Sequence, residues 1–226
     1  SVAMDRAELV HQNFLTRVAS GDFPARSATI SLAESGLDKA TLVNIFYSGV
    51  TSRQLDRTSR HMQAVGEGFY TIGSSGHEGN AALAAAFRFD DMAFLHYRDA
   101  AFQIRRALMV PGQTPLRDML LSFAASADDP ISGGRHKVLG SKALFIPPQT
   151  STIASHLPKA VGTAFSISLA KRLKPVDRQL ANDSVVLCSF GDASANHSTA
   201  QGAINTACWS AFQGVAMPLV FVCEDN

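Results

Sequence analysis

Two short apolar runs each stop on residues able to hold a hard cation. Ser184-Val185-Val186-Leu187-Cys188-Ser189-Phe190 leads into Gly191-Asp192-Ala193-Ser194-Ala195-Asn196, and Pro218-Leu219-Val220-Phe221-Val222-Cys223 leads into Glu224-Asp225-Asn226. A carboxylate at Asp192 and an amide oxygen at Asn226 are hard oxygen donors, suited to an octahedral divalent ion held partly by phosphate oxygens. That chemistry is magnesium gripping a diphosphate.

The elements that must position these groups are legible around them. Both runs are short, β-branched and uncharged, as strands buried on both faces of a parallel sheet are. Between them Thr199 to Phe212 places Ala203, Ile204, Ala207 and Cys208 at helical spacing, long enough for a right-handed crossover. In a strand, helix, parallel strand unit both strands finish at the same edge, and ligands bind there. Taken alone, Gly-Asp after a buried strand is equally an ordinary turn with a helix cap.

The run GDASANHS, followed by a helix and then LVFVCEDN, resembles the GDG...N motif of thiamine-diphosphate enzymes, and among them the alpha part of 2-oxoacid dehydrogenases. The resemblance implies an α/β fold, a parallel sheet with helices on both faces that binds the diphosphate, preceded by an N-terminal helical extension. It implies residues 1–70 as that extension and 71–226 as the diphosphate-binding domain, incomplete at its C-terminus. It also makes Asp192 and Asn226 magnesium ligands and sets Gly191, Ala193 and Ser194 around the cofactor. Two departures stand out: Ala193 replaces a Gly, and the segment from Asp192 to Asn226 is longer than the family's, with the surplus around Ser210 to Ala216.

Three further stretches match in the same order. Tyr97-Arg98 resembles the pair that contacts the diphosphate, and a guanidinium suits phosphate because it offers two parallel hydrogen bonds. Gly133-Gly134-Arg135-His136-Lys137 resembles a loop near the active site, which makes His136 a catalytic candidate; a basic loop without cofactor contact is the plain alternative. Ser151 to Gly162 resembles a stretch in which an aliphatic residue wedges beneath the bent cofactor. Ile153 takes that place, with Ser151 as a cofactor contact and His156 as a second catalytic candidate. Upstream, the glycine-dense run Gly66 to Gly79 lets backbone turn sharply or approach a ligand closely. His77 and Glu78 within it face the cofactor or a neighbouring subunit, or serve only as caps.

Periodicity supplies the remaining elements. Asp5 to Ala19 reads as an amphipathic helix; a second opens at Leu37-Asp38 and ends at Gly49; a third runs from Thr51 to Val65 with Leu55, Met62 and Val65 inward and Arg53, Arg57 and Arg60 on a solvated face. Asn80 to Phe87 reads as a small-residue helix. Thr114-Pro115 caps and opens another through Phe123. Met92 to His96 and Ala143 to Ile146 read as further strands of the sheet, and Lys171 to Asp183 as a surface connection.

Composition narrows the function classes. At 46% hydrophobic and 17% charged residues with a net charge of +1, the chain is neither disordered nor built for nucleic acid or an acidic membrane surface. Cys188, Cys208 and Cys223 form no CxxC pair, which fits a reducing, cytoplasmic setting. The family resemblance implies oxidative decarboxylation of a 2-oxoacid with acyl transfer to a lipoyl group, thiamine diphosphate and Mg2+ being the cofactors. It implies as partners a pyrimidine-binding domain or beta subunit that completes the site, and a lipoyl-bearing acyltransferase. Transketolase-like ketol transfer and a non-catalytic assembly module are the competing readings.

Overall fold

The computed structural model describes residues 5–25, 30–71 and 73–225. The chain divides into two compact units, Ser1–Leu42 and Val43–Asn226. In the first, α1 (Arg6–Ser20) starts at Asp5, whose carboxylate accepts from the Ala7 amide, and stops at Gly21 in the left-handed conformation. Its apolar stripe, Leu9, Val10, Phe14 and Val18, is exposed. The short helix α2 (Leu32–Ser35) carries a capping box between Ser31 and Glu34.

The second unit is organised by a three-stranded parallel sheet in the order β1 (Ala93–Phe94), β4 (Val186–Gly191), β5 (Leu219–Glu224). Strand alternation sends side chains to two separate cores. Phe94, Val186, Cys188 and Phe190 pack against α7 (Leu157–Leu173) and α8 (Ser198–Phe212), chiefly through Leu157, Ala160, Val161, Ala164, Ala200 and Ala203. Ala93, Leu95 and Leu187 point the other way, onto Ala84 of α4 (Asn80–Ala86) and Phe102 and Ala107 of α5 (Ala100–Ala107). Helices therefore cover both faces, as an uncharged central strand requires. A third cluster joins Leu55 of α3 (Lys39–Ala64), Ile104, and Met119 and Phe123 of α6 (Pro115–Phe123).

Arg106 on α5 is a polar staple inside this packing. Its side chain is fully buried, and its guanidinium donates to the carbonyls of Asp91 at 2.7 Å, Leu144 at 2.9 Å and Arg88 at 3.1 Å while stacking over Phe102. Burial lowers its pKa to about 10, so it stays charged at neutral pH.

Two expectations change. Ala143 to Ile146 is not a strand of the parallel sheet: Lys142–Leu144 is a 3-10 turn, Phe145 is left-handed, and β3 (Ile146–Gln149) pairs antiparallel with β2 (Leu139–Ser141). Among the described residues the segment's backbone bond to β1 is the Phe145 carbonyl, accepting from the Ala93 amide at 3.0 Å, while Leu144 and Ile146 pack with Ala93 and Leu95. The second and third helices are one. Gly49 does not stop α3; a Cβ there would lie 3.3 Å from both Cβ and the carbonyl oxygen of Glu78, so the glycine serves close approach inside a continuous helix. The face that α3 buries is Ser48, Gly49, Ser52, Asp56 and Ser59 beside Leu55, while Val65 is exposed.

Candidate active site

Because β1, β4 and β5 are parallel, the residues that follow each strand meet at one edge. The register pairs Gly191 with Glu224, so Asp192 and Asp225 leave adjacent strand ends. His96-Tyr97-Arg98-Asp99 leaves the end of β1 on the other side of β4. Asp192 is exposed and opens a 3-10 turn, Asp192–Asn196, in which Ser194 is buried. Asp192, Asp225 and Glu224 all act on Cys223, whose thiol is pushed up first by burial and then by these carboxylates. A side chain at Gly191 would crowd the His96 ring, its Cβ only 3.3 Å from Nε2, so the backbone at the head of this turn stays bare.

Behind the edge lies a buried polar network. Glu224 Oε2 bonds His77 Nδ1 at 2.5 Å and His96 Nδ1 at 3.1 Å, and Asn80 Nδ2 donates to Glu224 Oε1 at 3.1 Å and to Asp99 Oδ1 at 2.7 Å. Ser189 Oγ donates to Asp99 Oδ2 and accepts from the His96 amide at 2.9 Å. Burial and the Glu224 charge push Asp99 well above the usual carboxylate range. Burial alone would raise Glu224 too, but the bonds from His77, His96 and Asp99 outweigh it and hold that carboxyl low. The two contacting buried carboxyls are thus driven in opposite directions, Asp99 up and Glu224 down.

His156 sits on the α7 side of the sheet, 2% exposed, with Nε2 2.6 Å from the Ser189 carbonyl. Burial, with His96 and Lys159 nearby, lowers its pKa to about 4. The imidazole is therefore neutral at pH 7 and donates through Nε2, while Nδ1 has no partner among the described residues.

A second group of side chains gathers around the loop from Tyr70 to Glu78. The α3 serines grip it: Ser52 bonds Ser74 at 3.2 Å and Ser59 bonds Thr71 at 2.9 Å. Asp56 accepts from the Ser74 amide, and Arg98 donates to the Gly73 carbonyl. Burial pushes Asp56 up against the pull of Ser74, Lys137 and Arg60, and lowers buried Lys137 to about 8 despite Asp56. His136 packs against the rings of Tyr70 at 4.5 Å and Phe69 at 5.8 Å, and the Tyr70 hydroxyl bonds Ser151 at 2.8 Å. Ile153, two residues on, is half exposed.

The structure thus brings His136 and Ser151 together through Tyr70, and sets Tyr97 and Arg98 at the sheet edge that carries Gly191, Asp192, Ala193 and Ser194. Asn226 lies outside the described residues. Sequence reading missed Glu224, His96 and Asp99 as one network with His77, and missed Asp56 and Tyr70. For His96, Asp99 and Glu224 the available signal was polar side chains at or just after the ends of apolar strands; Asp56, Tyr70 and His77 follow no strand and carried no such signal.

The family model "Dehydrogenase E1 component" matches residues 48–226. This chain belongs to that family. It is 26% identical over 196 residues to the 2-oxoisovalerate dehydrogenase subunit alpha of Bacillus subtilis, covering 84% of this chain and 53% of that one. The mitochondrial 2-oxoisovalerate dehydrogenase subunits alpha of Mus musculus and Homo sapiens are 27% and 24% identical, over 80% and 99% of this chain and 37% and 46% of theirs. The chain spans about half the length, or less, of these relatives.

Proposed function

We propose that this chain is the diphosphate-binding alpha portion of a thiamine-diphosphate- and magnesium-dependent 2-oxoacid dehydrogenase acting on a branched-chain 2-oxoacid. The carrying observation is the register that ends β4 and β5 side by side at Gly191 and Glu224, with Tyr97-Arg98 leaving the same edge. The residues present fit the cofactor. Asp192 is an exposed hard-oxygen donor at that edge, opening a turn at whose head the Gly191 backbone packs against the His96 ring.

In this reading Asp192 and Asn226 hold magnesium. Tyr97, Arg98, Ser151, Gly191, Ala193 and Ser194 hold the diphosphate, and Ile153 shapes the bent cofactor from its exposed position. The bound cofactor supplies an electron sink for loss of carbon dioxide and transfer of the acyl group to a lipoyl carrier. His136, kept below its ordinary pKa by burial and by Lys137, is a neutral imidazole able to accept a proton near the substrate. His156 orients β4 from below. Residues 1–70 form the extension and 71–226 the cofactor domain; a beta subunit or pyrimidine-binding domain completes the site, a lipoyl-bearing acyltransferase takes the product, and the setting is cytoplasmic. No helix among the described residues is long and apolar enough to cross a membrane.

Calorimetric titration of thiamine diphosphate into the intact assembly, with and without magnesium, tests the reading. Wild type should bind only with the metal, and Asp192→Ala should lose at least about tenfold in affinity, 1.4 kcal/mol, without a change in melting temperature. Unchanged affinity in that variant refutes the metal assignment.

A further inference from the structure

We propose that His77, His96, Asp99 and Glu224 form a second metal site, separate from the magnesium edge and built for an ion of the zinc class. Three chain segments converge on it: the loop before α4, the turn after β1 and the end of β5. Each of the four residues offers one ligand atom, all of these atoms lie within 4.8 Å of one another, and all four side chains are buried.

Both imidazoles aim the same nitrogen, Nδ1, at the same oxygen, Glu224 Oε2, at 2.5 Å and 3.1 Å. Around a tetrahedral zinc with bonds of about 2.0 to 2.2 Å, ligand atoms sit about 3.3 Å apart. The ion therefore requires the two histidine–Glu224 pairs to open by about 0.2 to 0.8 Å and the widest pair of ligand atoms, up to 4.8 Å apart, to close by up to about 1.5 Å, both within side-chain adjustment. Two nitrogens and two carboxylate oxygens in a closed, dry setting match zinc; magnesium prefers oxygen alone and keeps waters. A divalent ion would take the place of the proton that burial favours on Asp99 and balance both carboxylates of the pair.

The outer partners have the form that metal ligands take. Asn80 holds the other oxygen of Glu224 and one oxygen of Asp99, and Ser189 holds the second oxygen of Asp99, so both carboxylates are fixed in orientation. Such an ion would tie β5 to β1 and to the loop before α4, stiffening the edge from which Asp192 projects.

The test is metal analysis of the full chain, purified without added zinc, kept in excess magnesium and desalted. About one zinc per chain is expected, because a closed four-ligand site releases zinc slowly. His77→Ala and His96→Ala should lose it, while Asp192→Ala should keep it. Cobalt(II) exchanged into wild type should give the strong visible bands of a four-coordinate centre. A wild-type chain that carries no zinc, and whose cobalt spectrum is that of a weak six-coordinate ion, overturns the proposal whether or not the histidine variants fold. Loss of zinc in folded Asp192→Ala overturns it as well, since the ion would then belong to the magnesium edge.

Discussion

His156 offers a sharp test of how burial sets chemistry in this site. Its folded-state pKa of about 4 lies below the ordinary 6.5, so between those values the unfolded chain binds a proton that the folded chain refuses. Stability is fully present above pH 6.5 and is lost as pH falls through 6.5 toward 4. The gap corresponds to about 3 kcal/mol, or roughly 6 to 12 °C in melting temperature for a chain of this size. The cause is local: Nε2 already donates to the Ser189 carbonyl at 2.6 Å, and a proton on Nδ1 would be buried without an acceptor. The assay is thermal unfolding of wild type and His156→Gln from pH 7.5 to 4. Wild type should lead at neutral pH, and its lead should shrink by about 3 kcal/mol toward pH 4. A difference that stays flat across this range refutes the argument. So does a pH profile of activity with an ionisation near 6.5 that disappears in His156→Gln, for then the imidazole would be titrating at its ordinary value in the working enzyme.

Arg106→Met should cost roughly 2 to 6 kcal/mol, because it strands the buried carbonyls of Leu144 and Asp91, and should lower the melting temperature by roughly 4 °C or more; cofactor affinity in the folded fraction should be unchanged. At Gly49 the helix favours alanine by about 1 kcal/mol, whereas contact with Glu78 at 3.3 Å opposes it. Gly49→Ala should therefore be near neutral by chemical denaturation, and Gly49→Leu should cost about 2 kcal/mol or more. Lys137, at about 8 in the fold and ordinarily 10.5, predicts the same sign of pH trend as His156 in a higher window: wild type should gain on Lys137→Met as pH rises from 8 toward 10.5. Parallel unfolding curves at every pH would contradict it.

What could be read in the sequence followed from burial. The run Val186 to Phe190 is uncharged and, apart from Ser189, apolar because β4 is covered on both faces, and that pattern announces a parallel sheet without reference to any partner. The β4, α8, β5 unit was legible for the same reason. The α3 helix was not. Its buried face is mostly serine, glycine and aspartate, so hydrophobic periodicity found Leu55 and Met62, wrongly added Val65 and missed the rest, and Gly49 looked like a terminator when it is a contact point. The expected strand at Ala143 to Ile146 failed because apolar residues that bury in a 3-10 turn look the same as a short strand.

The site divided along the same line. Asp192, Tyr97 and Arg98 follow strands directly, so topology alone carried them to a common edge. The network behind them could not be found that way, since His77 and Glu224 are 147 positions apart and neither has a neighbour that names its partner. Yet the two layers depend on each other. Exposed side chains at a strand end hold their places only if the strand end is fixed, and apolar packing stops short of this one: Glu224 is the last residue of β5 and a polar one. Hydrogen bonds from His77, His96 and Asn80 fix it instead, and they reach from segments that also carry Arg98 and Asp99. A single buried carboxylate thereby ties together the ends of β1 and β5 and the start of α4. For that reason Glu224→Gln, which keeps the shape and removes the charge, should loosen Asp192 and Arg98 together and weaken cofactor binding without touching either residue.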